Sequence, residues 1–217
     1  MRKPPTSPLK FSSMRDNWYS GAGKRLFDLV SATCGVVLLS PLFILAALAV
    51  KLSGPGPVLF SHRRIGLDFK PFFVHKFRTM AEGAERNGAQ ITTGGDSRIT
   101  PLGRLLRRTK VDELPQLFNV LTGEMSLVGP RPEVERYVEL FKGDYKIVLS
   151  VRPGITDYAA IEYRHEETIL ARYADPQEAY LKEILPAKIA LYNKYISEQS
   201  FATDLKILAG TLLKLIN

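Results

Sequence analysis

One long uncharged apolar stretch dominates the N-terminal quarter of the chain. From Leu29 to Val50 there is no Asp, Glu, Lys or Arg, and Ser40-Pro41 lies near the middle. Because proline removes a backbone donor and clashes with the preceding turn, we predict two helical arms that kink or break at this dipeptide. Each arm is long enough for about half of a ~30 Å hydrocarbon core.

Two membrane geometries remain open from the residues alone. One is a kinked full span, since prolines are common in spanning helices. The other is a re-entrant hairpin that enters and leaves by the same face. Lys and Arg lie on both flanks of the stretch, for example Lys24, Arg25, Lys51 and Arg63. A full span normally concentrates positive charge on one flank, so the even distribution favours the hairpin.

Short strands are predicted next in the chain. Val58–Phe60 and Phe72–Phe77 are rich in β-branched and aromatic residues, and the turn residues 66–70 between them favour pairing. Residues 81–97 read as a polar loop, and Val151–Thr156 as an irregular turn.

Helices are predicted over most of the remaining chain. Thr100-Pro101 is typical of a helix start, with the helix running to about Lys110. A second helix is expected from near Asp112 to Gly123, because apolar residues recur at helical spacing. Further helices are predicted over 133–141, 176–197 and, as an amphipathic tail, 204–216, where Leu205, Leu208, Leu212, Leu213 and Ile216 form one stripe. Packing of that tail on the core and on a membrane surface are both open. The predicted fold class is α/β, mostly helical with short strands.

Composition narrows the class of protein. Of the residues, 45% are hydrophobic, which excludes a disordered chain, and the single apolar stretch excludes a multi-span transporter. The one cysteine, Cys34, excludes an intramolecular disulfide and a cysteine-based metal site. The net charge of +8 calls for a polyanionic partner: nucleic acid, an anionic leaflet or a phosphorylated small molecule.

The candidate chemistry centres on a basic cluster that is followed at once by two acids. The cluster consists of Arg98, Arg104, Arg107, Arg108 and Lys110, and Asp112-Glu113 comes next. A purely structural interpretation is a cation-rich helix end followed by an Asp N-cap. The functional interpretation is that a carboxylate beside guanidinium groups stays ionised and nucleophilic while those groups neutralise a phosphate. The adjacent acid can then hold a divalent cation or move protons.

Other basic residues lie where anion binding is plausible. These are Lys76 and Arg78, Arg131 between Pro130 and Pro132, and Arg152. A structural salt bridge is the alternative for each of them. The chain has no P-loop, no GxGxxG and no Gly-x-Ser-x-Gly, so nucleotide binding would need another scaffold.

Several motifs follow one another in a fixed order along the chain. After the apolar stretch broken at Ser40-Pro41 come Arg63-Arg-Ile-Gly66, Lys76-Phe-Arg-Thr-Met80, Thr100-Pro-Leu-Gly-Arg104, Asp112-Glu-Leu-Pro-Gln-Leu-Phe-Asn119, Gly123-Glu-Met-Ser-Leu-Val-Gly-Pro-Arg-Pro132 and Val151-Arg-Pro-Gly-Ile-Thr156. This order resembles the bacterial sugar transferases, the monotopic phosphoglycosyl transferases that start capsule, O-antigen, exopolysaccharide and glycoprotein glycan assembly. The resemblance covers roughly residues 22–215, and the order of motifs is far more specific than any one of them.

The resemblance implies a flexible or membrane-apposed segment over 1–22, a re-entrant helix broken at Ser40-Pro41 over 23–52, and a cytoplasmic catalytic domain with interfacial amphipathic helices over 53–217. The protein would sit at the bacterial inner membrane, and a homodimer is one possible assembly. This would be the minimal catalytic form, without the extra spans of larger members. The family's substrates are a UDP-sugar and polyprenol (undecaprenyl) phosphate, with Mg²⁺ as cofactor.

The resemblance also implies residue roles. Asp112 would attack the β-phosphate of the UDP-sugar, expel UMP and carry an aspartyl phosphosugar, which polyprenol phosphate then accepts in a ping-pong route. Glu113 would assist through Mg²⁺, shared with Asp112, or as an acid/base. Lys76, Arg107, Arg131 and Arg164 match phosphate- and nucleotide-contacting positions, and Arg78 belongs to the same substrate-binding set.

One segment departs from the family pattern. Many members continue after Gly-Ile-Thr with a Gly-Trp-Ala-Gln-Val-Asn-Gly-Arg type sequence, whereas this chain has Asp157-Tyr-Ala-Ala-Ile-Glu-Tyr-Arg164. The identity of the sugar is therefore open, and the assignment of Arg164 is weaker than that of Asp112. Two alternatives from other classes are a membrane-tethered basic nucleic-acid-binding protein and a noncatalytic membrane scaffold. Arg107 and Arg108 beside two acids are poorly arranged for a nucleic-acid backbone, which speaks against nucleic acid as a partner.

Overall fold

The computed structural model describes Tyr19, residues 21–83 and residues 96–216. Helices predominate in this part of the chain, with two pairs of short strands beside them. The predicted α/β class, mostly helical with short strands, is therefore confirmed. The N-terminal segment 1–22 and the polar loop 81–97 fall largely outside the described residues.

The helices and strands follow one another in this order. They are α1 (Ala22–Leu38), α2 (Ser40–Leu52), β1 (Leu59–Ile65), β2 (Pro71–Phe77), α3 (Pro101–Thr109), α4 (Gln116–Thr122), β3 (Ser126–Val128), α5 (Glu135–Leu140), α6 (Lys142–Val148), β4 (Gly154–Thr156), α7 (Tyr158–Glu162), α8 (Glu166–Leu170), α9 (Pro176–Ala179), α10 (Leu185–Glu198) and α11 (Phe201–Ile216).

The apolar stretch is a bent pair of helices, as predicted. Helix α1 ends at Leu38, Leu39 leaves the helical conformation, and α2 begins with Ser40 and carries Pro41 in its first turn. The axes differ by 62°. The Ser40 hydroxyl donates to the Val37 carbonyl over 2.8 Å and so satisfies an acceptor near the break. Among the described residues no single helix is long and apolar enough to cross a membrane, although this bent pair qualifies by length and composition.

Both arms of the bent pair return to the same body. Lys24, Asp28 and Ala32 of α1 are buried, and so are Ala46 and Val50 of α2. The remaining faces of the two arms expose large apolar side chains: Leu26, Val30, Val37, Leu38, Leu42, Ile44, Leu45, Leu48 and Leu52. The pair therefore projects from the domain with an apolar outer surface.

Strands β1 and β2 form the predicted antiparallel hairpin, with Leu59 opposite Phe77 and Ile65 opposite Pro71. A 3₁₀ turn at Leu67–Phe69 connects them. Since cross-strand partners and alternate residues share a face, His62, Arg64 and Lys76 lie on one face of the hairpin. This face turns toward the candidate site.

Strands β3 and β4 form a parallel pair, with Ser126 opposite Gly154 and Val128 opposite Thr156. The prediction of an irregular turn at Val151–Thr156 is wrong for its second half, because a three-residue strand gives no periodicity of its own. The pairing needs two glycines. A Cβ atom on Gly154 would lie 2.1 Å from the Gly129 nitrogen, so the backbones touch just before the Pro130-Arg131-Pro132 segment.

The C-terminal third supplies many of the core side chains, among them Leu185 and Tyr192. The predicted helix over 176–197 is α9, a π-helical turn at Tyr180–Ile184 and α10. The predicted tail helix is α11, but its core face carries Asp204 and Ile207, whereas Leu205, Leu212 and Leu213 are exposed. The leucine stripe thus lies largely outside the core.

Candidate active site

Asp112 and Glu113 lie in a tight turn between two helices. Thr100 caps α3 by accepting from the Gly103 N–H over 2.9 Å, and α3 ends where Lys110 adopts a left-handed conformation with φ 58°. A 3₁₀ turn at Val111–Glu113 follows, and α4 starts only at Gln116. The predicted single helix from Asp112 is thus a turn followed by a shorter helix, which ends at Gly123 as expected. The turn buries both carboxylates.

The Glu113 carboxylate is held by two cations from different elements. Lys76 on β2 donates to Oε1 over 2.8 Å, and Arg131 donates to Oε2 over 3.1 Å and to Oε1 as well. Burial alone would raise the pKa of Glu113, but attraction to Arg131 and then Lys76 outweighs it and holds that pKa well below its usual range. Glu113 is therefore the ionised partner of a compact ion-pair cluster.

Asp112 differs sharply from its neighbour. Its side chain has no hydrogen bond or ion pair with the residues that the structure describes, and Oδ1 is fully enclosed without a partner. Burial, and then repulsion from Glu113, raise the pKa of Asp112 against the attraction of Lys76 and Lys110. A buried carboxylate oxygen without a donor is costly in a finished structure, so this atom is suited to a ligand that supplies positive charge or an electrophile.

Arg131 is oriented by its own backbone as well as by Glu113. Its N–H donates to Asp157 Oδ2 over 2.9 Å, and Asp157 Oδ1 accepts from the Ala160 N–H over 2.6 Å at the start of α7. Pro130 and Pro132 stiffen the chain on both sides. Asp157 was not among the sequence candidates, although an Asp before a helical segment is an N-cap signal.

Arg107 on α3 reaches the same region from the other side. Its Nε donates to the Thr79 hydroxyl over 3.0 Å and its Nη1 to Glu167 Oε1 over 2.9 Å. The positive charge of Arg107 lowers the pKa of Asp112, opposing the effect of burial. Thr79 and Glu167 were not predicted. Thr79 lies inside the Lys76–Met80 motif, and nothing in the sequence distinguishes Glu167 from its neighbours.

Two predicted substrate-binding residues, Arg78 and Arg164, do not contact the site carboxylates in the described part of the chain. Arg78 donates to the carbonyl oxygens of Val50 over 2.9 Å, Gly54 over 2.8 Å and Pro55, so it fixes the end of α2. Arg164 follows α7 and makes no hydrogen bond or ion pair with the described residues. The structure therefore brings Lys76, Arg107 and Arg131 together around Asp112 and Glu113, but not Arg78.

A metal site made only of side chains is not formed here. In residues 21–83 and 96–216 there is no group of three or more His, Cys, Asp or Glu side chains suited to hold a metal ion. Both oxygens of Glu113 are already paired, which leaves Asp112 as the available ligand. One free carboxylate fits Mg²⁺ bound mainly by substrate phosphates and water, the usual mode for this ion.

Comparison with known proteins assigns the chain to a group. Residues 19–217 match the bacterial sugar transferase family. A UDP-glucose:undecaprenyl-phosphate glucose-1-phosphate transferase from Escherichia coli (strain K12) is 42% identical over 88% of this chain. One of the same description from Caulobacter vibrioides is 38% identical over 89% of it.

A third relative carries a different sugar in its name. A UDP-N-acetylgalactosamine-undecaprenyl-phosphate N-acetylgalactosaminephosphotransferase from Aeromonas hydrophila is 42% identical over 64% of this chain. The matched regions span 33% of the Aeromonas protein, 39% of the Escherichia coli protein and 69% of the Caulobacter protein.

Proposed function

The chain belongs to the bacterial sugar transferase family, and from this premise we propose that it transfers a sugar-1-phosphate from a UDP-sugar to polyprenol phosphate, in particular undecaprenyl phosphate. The products are a polyprenyl diphosphate sugar and UMP. The observation that carries the proposal is the Asp112 carboxylate, which is buried and has no partner among the described residues, beside a Glu113 held by Lys76 and Arg131.

The reaction proceeds in two displacements at one phosphorus atom. A carboxylate oxygen of Asp112 attacks the β-phosphorus of the UDP-sugar, the bond to the bridging oxygen breaks, and UMP leaves with the electron pair. A phosphate oxygen of the polyprenol phosphate then attacks the aspartyl phosphosugar, which restores the Asp112 carboxylate. In such transfers the protein mainly positions groups and neutralises charge.

The surrounding residues divide this work. Glu113 stays ionised and holds Lys76 and Arg131 in place, so it acts by orienting cations rather than as a general acid. The N–H groups of Arg107 that the described residues leave unpaired neutralise a phosphate oxygen at the reacting centre. Asp112 has one oxygen for the attack and one that can contact a cation, and Oδ1 has no hydrogen-bond partner among the described residues.

Mg²⁺ is the cofactor that this arrangement suits. Asp112 and the diphosphate of the donor would hold it, and Glu113 contributes only if it gives up a cation. When bound, the ion supplies positive charge to the diphosphate and the leaving UMP.

The bent helix pair is proposed to be a re-entrant anchor in the bacterial inner membrane. The bases of both arms are buried in one domain, which suits entry and exit by the same face. The exposed leucines and valines of α1 and α2 then contact lipid, together with Leu205, Leu212 and Leu213 of α11. The catalytic domain lies on the cytoplasmic face, where UDP-sugars occur and the lipid phosphate is within reach.

The two other functional classes have less support. A nucleic-acid-binding protein and a noncatalytic scaffold leave the buried Asp112 without a role. Three cations of the site are engaged with carboxylates, Lys76 and Arg131 with Glu113 and Arg107 with Glu167, rather than arranged as an open row.

The deciding experiment is a panel of UDP-sugars with undecaprenyl phosphate and Mg²⁺. We expect UMP release with at least one of UDP-glucose, UDP-galactose, UDP-N-acetylglucosamine and UDP-N-acetylgalactosamine, and none from D112N. The exposed Asp144 supplies the matched control, since D144N removes an equal charge far from the site and should release UMP normally. A folded wild-type protein that is inactive with the whole panel contradicts the proposal.

The order of steps is tested without the lipid acceptor. A ping-pong route gives up to one equivalent of UMP per protein and a covalent phosphosugar adduct detectable by intact mass, which D112N lacks. A direct transfer between the substrates gives neither product until lipid is added.

The anchor is tested by cysteine labelling from either side of sealed inverted membrane vesicles. In a C34S background, R15C and K70C should react with the same impermeant reagent from the same side. Reaction from opposite sides would establish a full span.

A further inference from the structure

Two of the residues around the candidate site touch none of its carboxylates and instead hold a single arginine. Thr79, which follows β2, accepts from Arg107 Nε, and Glu167 on α8 accepts from Arg107 Nη1. We infer that Thr79 and Glu167 are positioning residues, which fix the Arg107 guanidinium in the orientation that receives the donor phosphate. This inference rests on the proposed function.

The Arg107 guanidinium has more N–H donors than Thr79 and Glu167 use. A guanidinium carries five N–H groups, and the described residues engage one on Nε and one on Nη1. Both N–H groups of Nη2 and one on Nη1 are left over. Two neighbouring donors at fixed spacing match two oxygens of a phosphate. Arg107 therefore offers a prepared phosphate-binding edge.

The backbone that carries Thr79 is packed tightly against α3. The Thr79 carbonyl accepts from the Thr100 N–H over 3.0 Å at the start of α3, and the segment pairs again through the Met80–Ile99 bridge. A Cβ atom on Gly103 would lie 2.0 Å from the Thr79 oxygen, so α3 lies directly against this backbone. Thr79 and Arg107 are thus mounted on one tightly packed unit, which fixes the Nε side of the guanidinium.

Helix α8 places Glu167 beside Arg107. Glu166 and Glu167 are adjacent but reach different elements: Glu166 pairs with Lys188 on α10 over 2.8 Å, and Glu167 pairs with Arg107 on α3 over 2.9 Å. Leu170 of α8 is 1% exposed in the core. With α8 anchored by Lys188 and Leu170, Glu167 is held in place to orient Arg107.

The negative charge of Glu167 makes the inference testable, because the direction of the change in anion affinity on its removal distinguishes two interpretations. Glu167 is an anion next to a proposed anion-binding group, so its removal strengthens anion binding if electrostatic repulsion is all that matters. If Glu167 orients Arg107, removal weakens binding instead, because the guanidinium loses its prepared orientation. The two interpretations therefore predict opposite changes.

The experiment measures the binding of UDP, which carries the diphosphate but no sugar, by calorimetry with full-length protein in detergent. We expect E167Q to raise the Kd for UDP about five- to tenfold, and T79V to do the same, since each loses a hydrogen bond to a charged group. T79S retains the hydroxyl and should bind UDP like the wild type. E162Q is the matched control, because Glu162 is exposed on the same segment and has no contact with Arg107.

Turnover provides the second measurement. In the UDP-sugar assay, E167Q and T79V should raise KM for the donor while KM for the lipid acceptor stays constant, which a general loss of folding would not produce. In an R107M background neither change should reduce turnover further, because the group that they orient is absent.

These results separate the two proposals. UDP binding that is unchanged or tighter in E167Q, or equal losses in T79S and T79V, overturns the positioning role. A wild-type protein that binds UDP with the expected variant pattern but transfers no sugar phosphate leaves the positioning role intact and contradicts the proposed function.

Discussion

Two ionic clusters lie in this molecule, and they differ in whether each acid has a partner. At the base of the helix pair, Lys24 contacts Asp28 over 2.9 Å and Asp204 over 2.6 Å. Around the turn after α3, Lys76 and Arg131 contact Glu113, while Asp112 has no partner in the described part of the chain. The first will be called the anchor cluster and the second the site cluster.

The anchor cluster is closed. Asp204 also accepts from the hydroxyls of Tyr19 over 2.7 Å and Tyr195 over 2.9 Å, and Asp28 accepts from the Leu127 N–H over 3.1 Å. The cluster thereby ties α1 to α11 and to β3, the strand that leads into the Arg131 segment. Satisfied buried charges of this kind specify one arrangement of the elements. The anchor cluster is thus satisfied within the described residues, whereas the site cluster leaves Asp112 for the proposed ligand.

The largest expected effect comes from the unpartnered acid. D112N should reduce turnover at least ~10³-fold, because an amide cannot attack phosphorus. It should leave the melting temperature unchanged or raise it, because a buried charge without a partner disappears. UMP release and thermal unfolding measured side by side test this, with D144N as control. A marked fall in melting temperature would mean that Asp112 is a structural residue like Asp204.

The next effect separates the two acids of the site cluster. E113Q should lower turnover by about 10²- to 10³-fold, because Lys76 and Arg131 lose the charge that orients them. It should also lower stability by about 1–3 kcal/mol, since two partly buried cations lose their counterion. Kinetics and chemical denaturation of the same preparations are the measurements. Equal stability losses in D112N and E113Q would remove the distinction between a reactive and an orienting carboxylate.

Breaking the anchor cluster should reduce stability strongly and turnover only slightly. D204A leaves Lys24 with one of its two acids and should cost about 3–5 kcal/mol, or roughly 6–20 °C in melting temperature. Turnover per folded molecule should fall far less than in E113Q. The neighbouring exposed Lys206 supplies the control K206A. A turnover loss in D204A that exceeds the stability loss would show that the anchor cluster shares in the chemistry.

The smallest expected effect is a pH dependence of stability that comes from His62, which lies near Lys76 of the site cluster. Burial, then repulsion from Arg64 and Lys76, lowers the pKa of His62 to about 4, from an ordinary value of 6.5. Between these two values the unfolded chain binds a proton that the folded chain does not, so this contribution to stability is full above the upper value and is lost as pH falls. When the pH is lowered from about 7.5 to about 5, the melting temperature should therefore fall more in the wild type than in H62Q. The exposed His165 provides the control H165Q, and an equal fall in H62Q and the wild type would contradict a lowered pKa of His62.

Local signals made part of this fold predictable. Thr100-Pro101 and Gly123 mark helix ends because caps act within a few residues, and Ser40-Pro41 breaks its helix for the same reason. The β3–β4 pair was missed because its strands are short and meet only in the folded chain. The sequence leaves the packing of α11 open, because an apolar stripe does not reveal that Asp204 is buried while Leu205 and Leu212 are exposed.

The candidate site shows the same limit. Asp112 and Glu113 were identified together, but no sequence pattern says that one acid is fully paired and the other is not. Lys76 and Arg78 look equivalent in the motif. The strand ends at Phe77, however, so Arg78 leaves its register and binds the end of α2.

The contact between Gly129 and Gly154 sets a boundary for protein engineering. The backbones there are too close for any side chain, and they fix the distance between the segment carrying Arg131 and the one that begins at Asp157. An exchange of segments between relatives that starts after Thr156 keeps this spacing, but it must retain Asp157 and Glu167, which contact Arg131 and Arg107. An exchange that starts before Gly154 must bring both glycines from one parent.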